Sequence, residues 1–345
     1  MYRYALLLNP GHNRVYYQSS QQLSQVEFSI TAQTMDCVPS QIQGEHIAGI
    51  YYLTFSAVEA LSEKDLEKIS RLSFVFALYQ REGELLRPVL IPQADLTGVS
   101  VSSLLKYTGK TNELFTRMML NVAVSSCTLQ EADRVRILDP IAGKGTTLFE
   151  GLTMGYDCYG IEIGEKAAAE GFHYLKKYLE IQRIKHKPMT LKQSGPNKSF
   201  TAKHFIIDLA ENREAFKNHQ EQHWEIVAGN SAYADQFFRR NSFHVLVGDL
   251  PYGVQHGNVT GEKQSSLTRS PKELVKACLP AWKNVLMPGG VLVLAWNVNV
   301  FPRCQFAQLL QEGGFEVLQE GAYDQFSHRV DNAILRDIIV ARKPR

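Results

Sequence analysis

Short apolar runs that end at or just before a polar residue recur through the last two thirds of the sequence. They occupy residues 135–138, 157–161, 224–228 and 243–248, and they precede Asp139, Glu162, Asn230 and Asp249 in turn. Each run has the length of a strand, and stretches that favour helix lie between them. Strands that alternate with helices predict an α/β fold with a parallel sheet. Ligands bind at the carboxyl edge of such sheets, so we expect these polar residues to meet there.

A glycine-rich turn follows the first run. The segment Asp139-Pro140-Ile141-Ala142-Gly143-Lys144-Gly145-Thr146-Thr147 places two glycines before a helix-forming stretch. Glycine leaves room for a ligand against the backbone and takes positive φ at little cost, and the helix start beyond it offers unpaired N–H groups. The turn is not a phosphate-binding P-loop, because no glycine lies five residues before the Gly143-Lys144 pair. It is not a clean dinucleotide fingerprint either, because Leu148 takes the third glycine position.

The next strand ends at Glu162, about 20 residues further on, the interval at which an acid meets a pair of ribose hydroxyls. Alone, either feature also fits an unrelated α/β protein with a glycine turn and a capping acid. Together they predict a site for a nucleoside-bearing cofactor. Asn230, after the strand at 224–228, is a candidate for hydrogen bonding to the base of that cofactor, although asparagine is also common in turns.

A second candidate for chemistry is the segment Asp249-Leu250-Pro251-Tyr252, which ends the run at 243–248. Pro251 fixes its own φ and restricts the residue before it, so the turn can hold a carboxylate and its neighbouring carbonyls rigidly. These groups accept hydrogen bonds from N–H donors, and the flat face of Tyr252 can stack on a base. The combination suits an exocyclic amino group on a planar ring. Such an amine can attack an electrophile without a strong base, because orientation supplies much of the rate.

The composition limits the choice of protein class. The chain has 345 residues, 44% hydrophobic and 21% charged, with a net charge of +2, so a well-packed core is expected and any nucleic-acid surface must be local. The five cysteines form no C-x-x-C pair, which predicts reduced thiols in the cytoplasm and no metal framework. The apolar run at the amino end is too short for a secretory signal, and no stretch has the roughly 18 apolar residues of a membrane span.

Two units are predicted. Residues 1–105 form a smaller α+β domain, with strands near 4–8, 47–55 and 72–79 and a helix from Ser62; its role is left open between placing a substrate and covering the sheet. A linker covers 96–109, and residues 106–345 form the larger domain. A helix capped by Thr111 or Asn112 opens it, and lies either beside the glycine turn or only against the sheet edge.

Residues 181–207 contain six Lys or Arg and no acid, with a loop-like middle. This pattern fits either a contact to a phosphate backbone or a solvated insertion. In the last third, a helix is expected from Ser270 to about 284, a turn at 287–290 before a strand at 291–296, and a helix at 306–313. Arg329 could contact a phosphate, but it fits an ordinary surface charge at least as well. His256 could touch the substrate, although a loop histidine without a role is the more common case.

The three motifs together resemble the class I S-adenosylmethionine-dependent methyltransferases. Asp249-Leu-Pro-Tyr252 is similar to the (D/N)-P-P-(Y/F) motif of amino-group methyltransferases, with Leu250 in place of the first proline. Together with the glycine turn it looks most like the tRNA guanine-N2 methyltransferases that carry a THUMP domain. The resemblance covers about residues 106–345. It implies a Rossmann-like seven-stranded class I methyltransferase sheet, closed by an antiparallel pair formed from 316–318 and 337–341.

The resemblance also implies roles for the site residues. Asp139, Ala142, Gly143 and Gly145 would line the methionine part of S-adenosyl-L-methionine, Glu162 would bind its ribose, and Asn230 would meet its adenine. Asp249 and Tyr252 would hold the target base, with Pro251 in the same turn, and Asp249 also borders the cofactor. The predicted cofactor site further includes the neighbours of these residues, which are Pro140, Thr146, Thr147, Ile163 and Ser231.

The function implied is methylation of the exocyclic N2 amino group of a guanine in tRNA or another structured RNA, without a metal and without a membrane. Three alternatives stay open at this point. A DNA adenine-N6 methyltransferase would stack a flipped adenine on the same tetrapeptide. A protein-glutamine methyltransferase would present a planar amide to the same acceptors. A non-catalytic RNA-binding protein on the same fold is disfavoured by the intact Asp139, Glu162 and Asp249.

Overall fold

The computed structural model describes residues 1–9, 14–92, 112–129, 134–252 and 270–345, with only the backbone for 14–19. The predicted linker at 96–109, Thr111 and His256 lie outside these ranges. Within them the chain forms two sheets, one from the amino-terminal part and a larger one from the rest. None of the helices in the described ranges combines the length and the apolar character that a bilayer crossing needs.

The first sheet is antiparallel, in the order β2-β3-β1-β4-β5 among the described residues. Its strands are β1 (Tyr2–Leu8), β2 (Ser40–Ile47), β3 (Ile50–Ala57), β4 (Val75–Glu82) and β5 (Leu85–Val89), and its helices are α1 (Arg14–Ala32) and α2 (Glu63–Arg71). The α2 helix begins as expected, because the Ser62 hydroxyl accepts from the Asp65 N–H and the Asp65 carboxylate accepts from the Ser62 N–H. The sequence did not predict α1, β2 or β5.

The second sheet follows the order β13-β15-β12-β11-β6-β7-β10-β9-β8, with β14 beside β15. Its strands in chain order are β6 (Arg136–Asp139), β7 (Asp157–Glu162), β8 (Lys185–Ser194), β9 (Thr201–Ala210), β10 (Gln222–Ala228), β11 (Phe243–Asp249), β12 (Leu286–Asn297), β13 (Glu316–Leu318), β14 (His328–Arg329) and β15 (Leu335–Arg342). The central strands β12, β11, β6, β7 and β10 are parallel. With the antiparallel pair β13 and β15 they form the predicted Rossmann-like sheet of seven strands.

Helices cover both faces of this sheet. In the described ranges they are α3 (Glu113–Ser126), α4 (Thr146–Thr153), α5 (Glu165–Ile181), α6 (Arg213–Lys217), α7 (Ala234–Phe237), α8 (Pro271–Val285) and α9 (Arg303–Glu312). Asn112 caps α3, since its side chain accepts from the N–H groups of Leu114 and Phe115 at 2.9 and 3.2 Å. The α3 helix lies beside the helix that follows the glycine turn, and Arg117 Nε is 3.0 Å from Glu150 Oε2 of α4.

The basic stretch at 181–207 differs from the prediction. Most of it is not a loop but the hairpin of β8 and β9, which pair from Lys185–Ala210 to Ser194–Thr201. The hairpin extends the sheet beyond β10, and β8 is its edge strand. Lysine is common on edge strands because it hinders further strand pairing, so the basic charge of this stretch is compatible with a strand. A second correction concerns 287–290, which belongs to β12 rather than to a turn.

The α1 helix joins the two parts of the chain. Leu23, Val26 and Ile30 pack into the core that contains α3 and one face of the second sheet. Phe28 and Ala32 pack into the separate core of the first sheet. The amino-terminal sheet is therefore attached to the larger one through a helix buried on two sides.

Candidate functional site

The glycine turn has the geometry that its sequence predicts. Gly143 and Gly145 have φ values of 56° and 93°, a region that residues with a Cβ enter at a cost. The Gly145 N–H donates to the Ala142 carbonyl at 2.8 Å, and the Ala142 N–H donates to Ile161 of the adjacent β7. A Cβ added at Gly143 would meet no atom within 4 Å. The turn therefore presents an open stretch of backbone at the carboxyl edge of the sheet.

Glu162 fastens this turn to the next strand. One of its carboxylate oxygens accepts from the Gly143 N–H at 2.9 Å and the other from the Gly164 N–H at 2.7 Å. A carboxylate has about four lone-pair positions, so each oxygen can accept one further hydrogen bond. The residue both shapes the turn and offers acceptors suited to a pair of hydroxyls.

Asp139 is a buried carboxyl group at the end of β6, 4% exposed. The pKa of Asp139 is raised to about 7, chiefly by burial and in smaller part by the carboxylates of Asp249 and Glu162, while hydrogen bonds from the Thr147 hydroxyl and the Ile141 N–H act in the opposite direction. The influence of Asp249 and Glu162 on Asp139 agrees with their positions, because the three acids end neighbouring parallel strands at one edge of the sheet. Pro140, Ala142, Thr146 and Thr147 are also buried around the turn.

Asn230 and Ser231 follow β10 at the same edge. The Asn230 side chain is exposed and caps a short 3₁₀ turn by accepting from the Ala232 N–H at 2.9 Å. The Ser231 hydroxyl is turned into the protein and accepts from the Trp282 indole N–H at 2.9 Å, so only its backbone is available to a ligand. Ile163, next to Glu162, is 48% exposed, which leaves an apolar surface beside the predicted ribose acceptor.

The Asp249 turn brings its predicted partners together. The Tyr252 hydroxyl donates to Asp249 Oδ1, and Leu250 is buried and donates its N–H to the Ala295 carbonyl of β12 at 2.8 Å. Burial raises the pKa of Tyr252 well above its ordinary value, and the Asp249 carboxylate adds to this effect while Arg336 opposes it. Tyr252 therefore stays protonated and acts as a hydrogen-bond donor, not as a base.

Arg336, which contacts Tyr252, and its neighbours Phe115 and His328 were not among the predicted site residues. Arg336 Cζ lies 5.0 Å from the centre of the Tyr252 ring and 4.3 Å from the centre of the Phe115 ring. The His328 ring lies 5.5 Å from that of Phe115. Two features of the sequence could have indicated Arg336 and Phe115: an arginine inside the apolar strand β15, and an aromatic residue in the first turn of α3.

The described residues fit the methionine and ribose ends of a sulfonium nucleoside. The open backbone at Gly143 leaves space, the α4 start at Gly145 has no side-chain cap among the described residues, and Asp139 and Glu162 offer acceptors. In the described ranges no group of three His, Cys, Asp or Glu side chains is placed to bind a metal ion.

Comparison with known proteins supports the class of protein that the motifs resemble. Residues 114–305, more than half of the chain, match the family model described as RMKL-like, methyltransferase domain. Fold, turn and match together define a class I S-adenosylmethionine-dependent methyltransferase, with S-adenosyl-L-methionine as its cofactor. The chain belongs to the RMKL-like methyltransferase domain family.

Solved structures are similar at low identity. TrmN from Thermus thermophilus is 14% identical, with 75% of this chain and 56% of that one covered and a TM-score of 0.37. TehB from Haemophilus influenzae is 10% identical over 85% and 74%, with a TM-score of 0.38. An rRNA methylase from Streptococcus thermophilus is 11% identical over 69% and 100%, with a TM-score of 0.33. The chain thus spans little more than half the length of TrmN. No curated protein matches the sequence.

Proposed function

We propose that this methyltransferase methylates the exocyclic N2 amino group of a guanine in tRNA. The observation that carries the proposal is the contact between Asp249 and Tyr252 at the end of β11, one strand away from the glycine turn that follows β6. Asp249 raises the pKa of Asp139, so the turn at 249–252, called the acceptor turn below, and the glycine turn at 139–145 are close enough to interact. An amine held at Asp249 would therefore face the cofactor.

The cofactor assignments from the sequence are kept as part of the proposal. Asp139, Ala142, Gly143 and Gly145 would hold the methionine part, with Pro140, Thr146 and Thr147 supporting the turn. Glu162 would accept from the ribose hydroxyls, and Ile163 and Asn230 would meet the adenine, with Ser231 contributing its backbone. The bound cofactor supplies an electrophilic methyl group on a sulfonium.

The residues around Asp249 account for the acceptor side of the reaction. The Tyr252 hydroxyl donates to Asp249 Oδ1, so the incoming amine would replace it there. Asp249 and the carbonyls of the turn would accept from the amine N–H groups and orient its lone pair. No residue has to remove a proton before attack, because the nitrogen can lose its extra proton after the methyl group is transferred, to Asp249 or to solvent. The Tyr252 ring, once released, would stack on the base.

The hairpin of β8 and β9 offers a surface for the RNA backbone. Its tip lies at the same sheet edge as the site, since Gln193 Nε2 donates to the Gln236 carbonyl at 2.8 Å and the Phe200 and Tyr233 rings stack 5.1 Å apart. Lys187, Lys192 and Lys198 are exposed along it. Exposed positive side chains suit a phosphate backbone.

The proposal extends to the whole chain. We place the division near residue 105, between β5 and α3, and assign RNA positioning to the amino-terminal part. From the cysteine pattern we also retain the prediction that the protein is located in the cytoplasm.

Transfer of tritiated methyl groups to three pools tests the proposal: unmodified tRNA, DNA and protein. We expect label in tRNA alone. Label in DNA would favour an adenine target, label in protein would favour a glutamine amide, and a protein that binds RNA without transferring label would be a non-catalytic binder.

A further inference from the structure

Two buried nitrogen atoms beside the acceptor turn lack a hydrogen-bond partner in the described part of the chain. They are Nε2 of His328 and Nε of Arg336, and the two residues are only 7% and 8% exposed. A buried polar atom without a partner costs about 1–3 kcal/mol. Each such atom calls for an explanation, and a ligand that completes its hydrogen bonds is one that fits a position beside a binding turn.

His328 can only accept at its unpartnered nitrogen. Its Nδ1 lies 2.8 Å from the Phe326 carbonyl oxygen, and because a carbonyl oxygen cannot donate, Nδ1 carries the hydrogen. Burial and the charge of Arg336 lower the pKa of the ring to about 4, so the ring is neutral near pH 7. The lone pair at Nε2 is therefore an acceptor.

Arg336 supplies the opposite partner. Its Nε–H is a donor, and its guanidinium packs between the rings of Phe115 and Tyr252. Arg336 and His328 are register partners on β15 and β14, so the donor and the acceptor lie side by side. The Tyr252 ring covers Arg336, and the release of Tyr252 from Asp249 would uncover it.

A donor beside an acceptor distinguishes the bases. When Asp249 holds the exocyclic amine, adenine has only acceptors left on its ring nitrogens, and cytosine has only N3 and O2, which are also acceptors. Guanine alone still offers both an N–H at N1 and an acceptor at O6. Only guanine can therefore satisfy both nitrogens at once.

We infer that His328 and Arg336 are specificity-determining residues that select guanine, His328 by accepting from N1–H and Arg336 by donating to O6. This inference rests on the proposed function and adds the source of its base selectivity.

The test uses one tRNA transcript in two forms, with guanine or with 2-aminopurine at the position that the wild-type protein methylates. 2-Aminopurine keeps the exocyclic amine but lacks O6 and the N1–H. Sites that hydrogen-bond a substrate group reject analogues without it strongly. We expect wild-type kcat/KM to favour guanine by about 100-fold or more, and His328→Phe or Arg336→Met to reduce this preference below about 10-fold.

The ratio is measured within one protein preparation, so partial misfolding of a variant does not change it. His328→Asn, which keeps an acceptor, should retain more of the preference than His328→Phe. Arg342→Met, on the same strand but paired with Glu316, should leave the ratio as in the wild type. If His328→Phe and Arg336→Met both keep the full preference for guanine, this inference is overturned while the proposed function stands. If the wild-type protein methylates no guanine, the proposed function and the inference both fail.

Discussion

Asp139 and Asp249 are neighbouring acids with different environments. Asp139 is buried, with its pKa raised to about 7, whereas Asp249 is partly exposed and already accepts from Tyr252. Both positions could be predicted from the sequence, because each belongs to a short motif whose turn and spacing are local. Phe115 and Arg336 were missed, because they come from distant segments and only the fold brings them to Tyr252. The inward turn of the Ser231 hydroxyl was equally unpredictable, since it depends on Trp282, 51 residues further on.

The first residue-scale prediction concerns Asp249. Asp249→Ala removes the main acceptor for the substrate amine, so methyl transfer should fall by at least about 1,000-fold while cofactor affinity changes little. Single-turnover transfer and calorimetric titration with S-adenosyl-L-methionine measure the two quantities. Glu320→Ala, an exposed acid that is not among the proposed site residues, is the control. Turnover that survived Asp249→Ala would remove the acceptor role.

The second residue-scale prediction concerns Asp139 and the pH dependence of cofactor binding. Since the pKa of Asp139 is raised to about 7, the group is neutral below that pH and ionised above it. The ionised form accepts hydrogen bonds from a cationic ligand group more strongly. The association constant for the cofactor should rise roughly tenfold between about pH 6 and about pH 8, and Asp139→Asn should flatten the curve. Calorimetry across that range gives the answer, and an equally steep curve for the variant would exclude Asp139 as its source.

At the scale of elements, the hairpin of β8 and β9 is the main addition to the predicted sheet. His204 Nδ1 is 2.6 Å from Glu225 Oε1, and His223 contacts both Glu225 and Asp208, so a buried polar network fastens β9 to β10. The sequence predicted a loop only from the turn-forming residues at 192–199, and the structure confines that loop to the tip of the hairpin, beyond the Ser194–Thr201 pair. The flanking strands were not predicted, because basic residues are common both on edge strands and in solvated insertions.

A prediction for the hairpin follows from its exposed lysines. The combined change of Lys187, Lys192 and Lys198 to Gln should weaken tRNA binding and lower the salt dependence, by about 0.7–0.9 in the log–log slope for each phosphate that is no longer neutralised. Filter binding over a salt series measures the slope. The same change at Lys217, Lys272 and Lys276, exposed elsewhere, should have little effect. Equal slopes for the two triple variants would show that the hairpin does not contact RNA.

A second element-scale prediction concerns Glu27, which links α1 to α3. It is fully buried, accepts from Asn121 Nδ2 at 2.7 Å and from Ser73, and burial raises its pKa from 4.5 to about 7. A raised pKa means that the folded state binds more protons, so its stabilising contribution is complete below about pH 4.5 and is lost as the pH rises through about 7.

Glu27→Gln should therefore remove roughly 1–3 kcal/mol of the decline in unfolding free energy between those pH values. Urea unfolding at several pH values measures it, with the exposed Glu67→Gln as the matched control. A decline that is just as large in Glu27→Gln would show that Glu27 does not titrate with folding.

For the whole molecule, the larger sheet was predictable and the amino-terminal part less so. Alternating strands and helices with polar strand ends define a doubly wound sheet by a repeated pattern. By contrast, α1 is buried on two sides, so its apolar residues do not form the single stripe that marks a surface helix. This shared helix couples the proposed RNA-positioning part to the α3 helix that carries Phe115 to the site.

The most direct measurement is the identity of the methylated nucleoside. Unmodified tRNA is treated with the protein and the cofactor, digested, and analysed by mass spectrometry, beside a reaction with the Asp249→Ala protein. We predict N2-methylguanosine in the first digest and none in the second. Methylation at any other base, or equal N2-methylguanosine from Asp249→Ala, would contradict the proposal that the turn at 249–252 binds the guanine amino group that receives the methyl group.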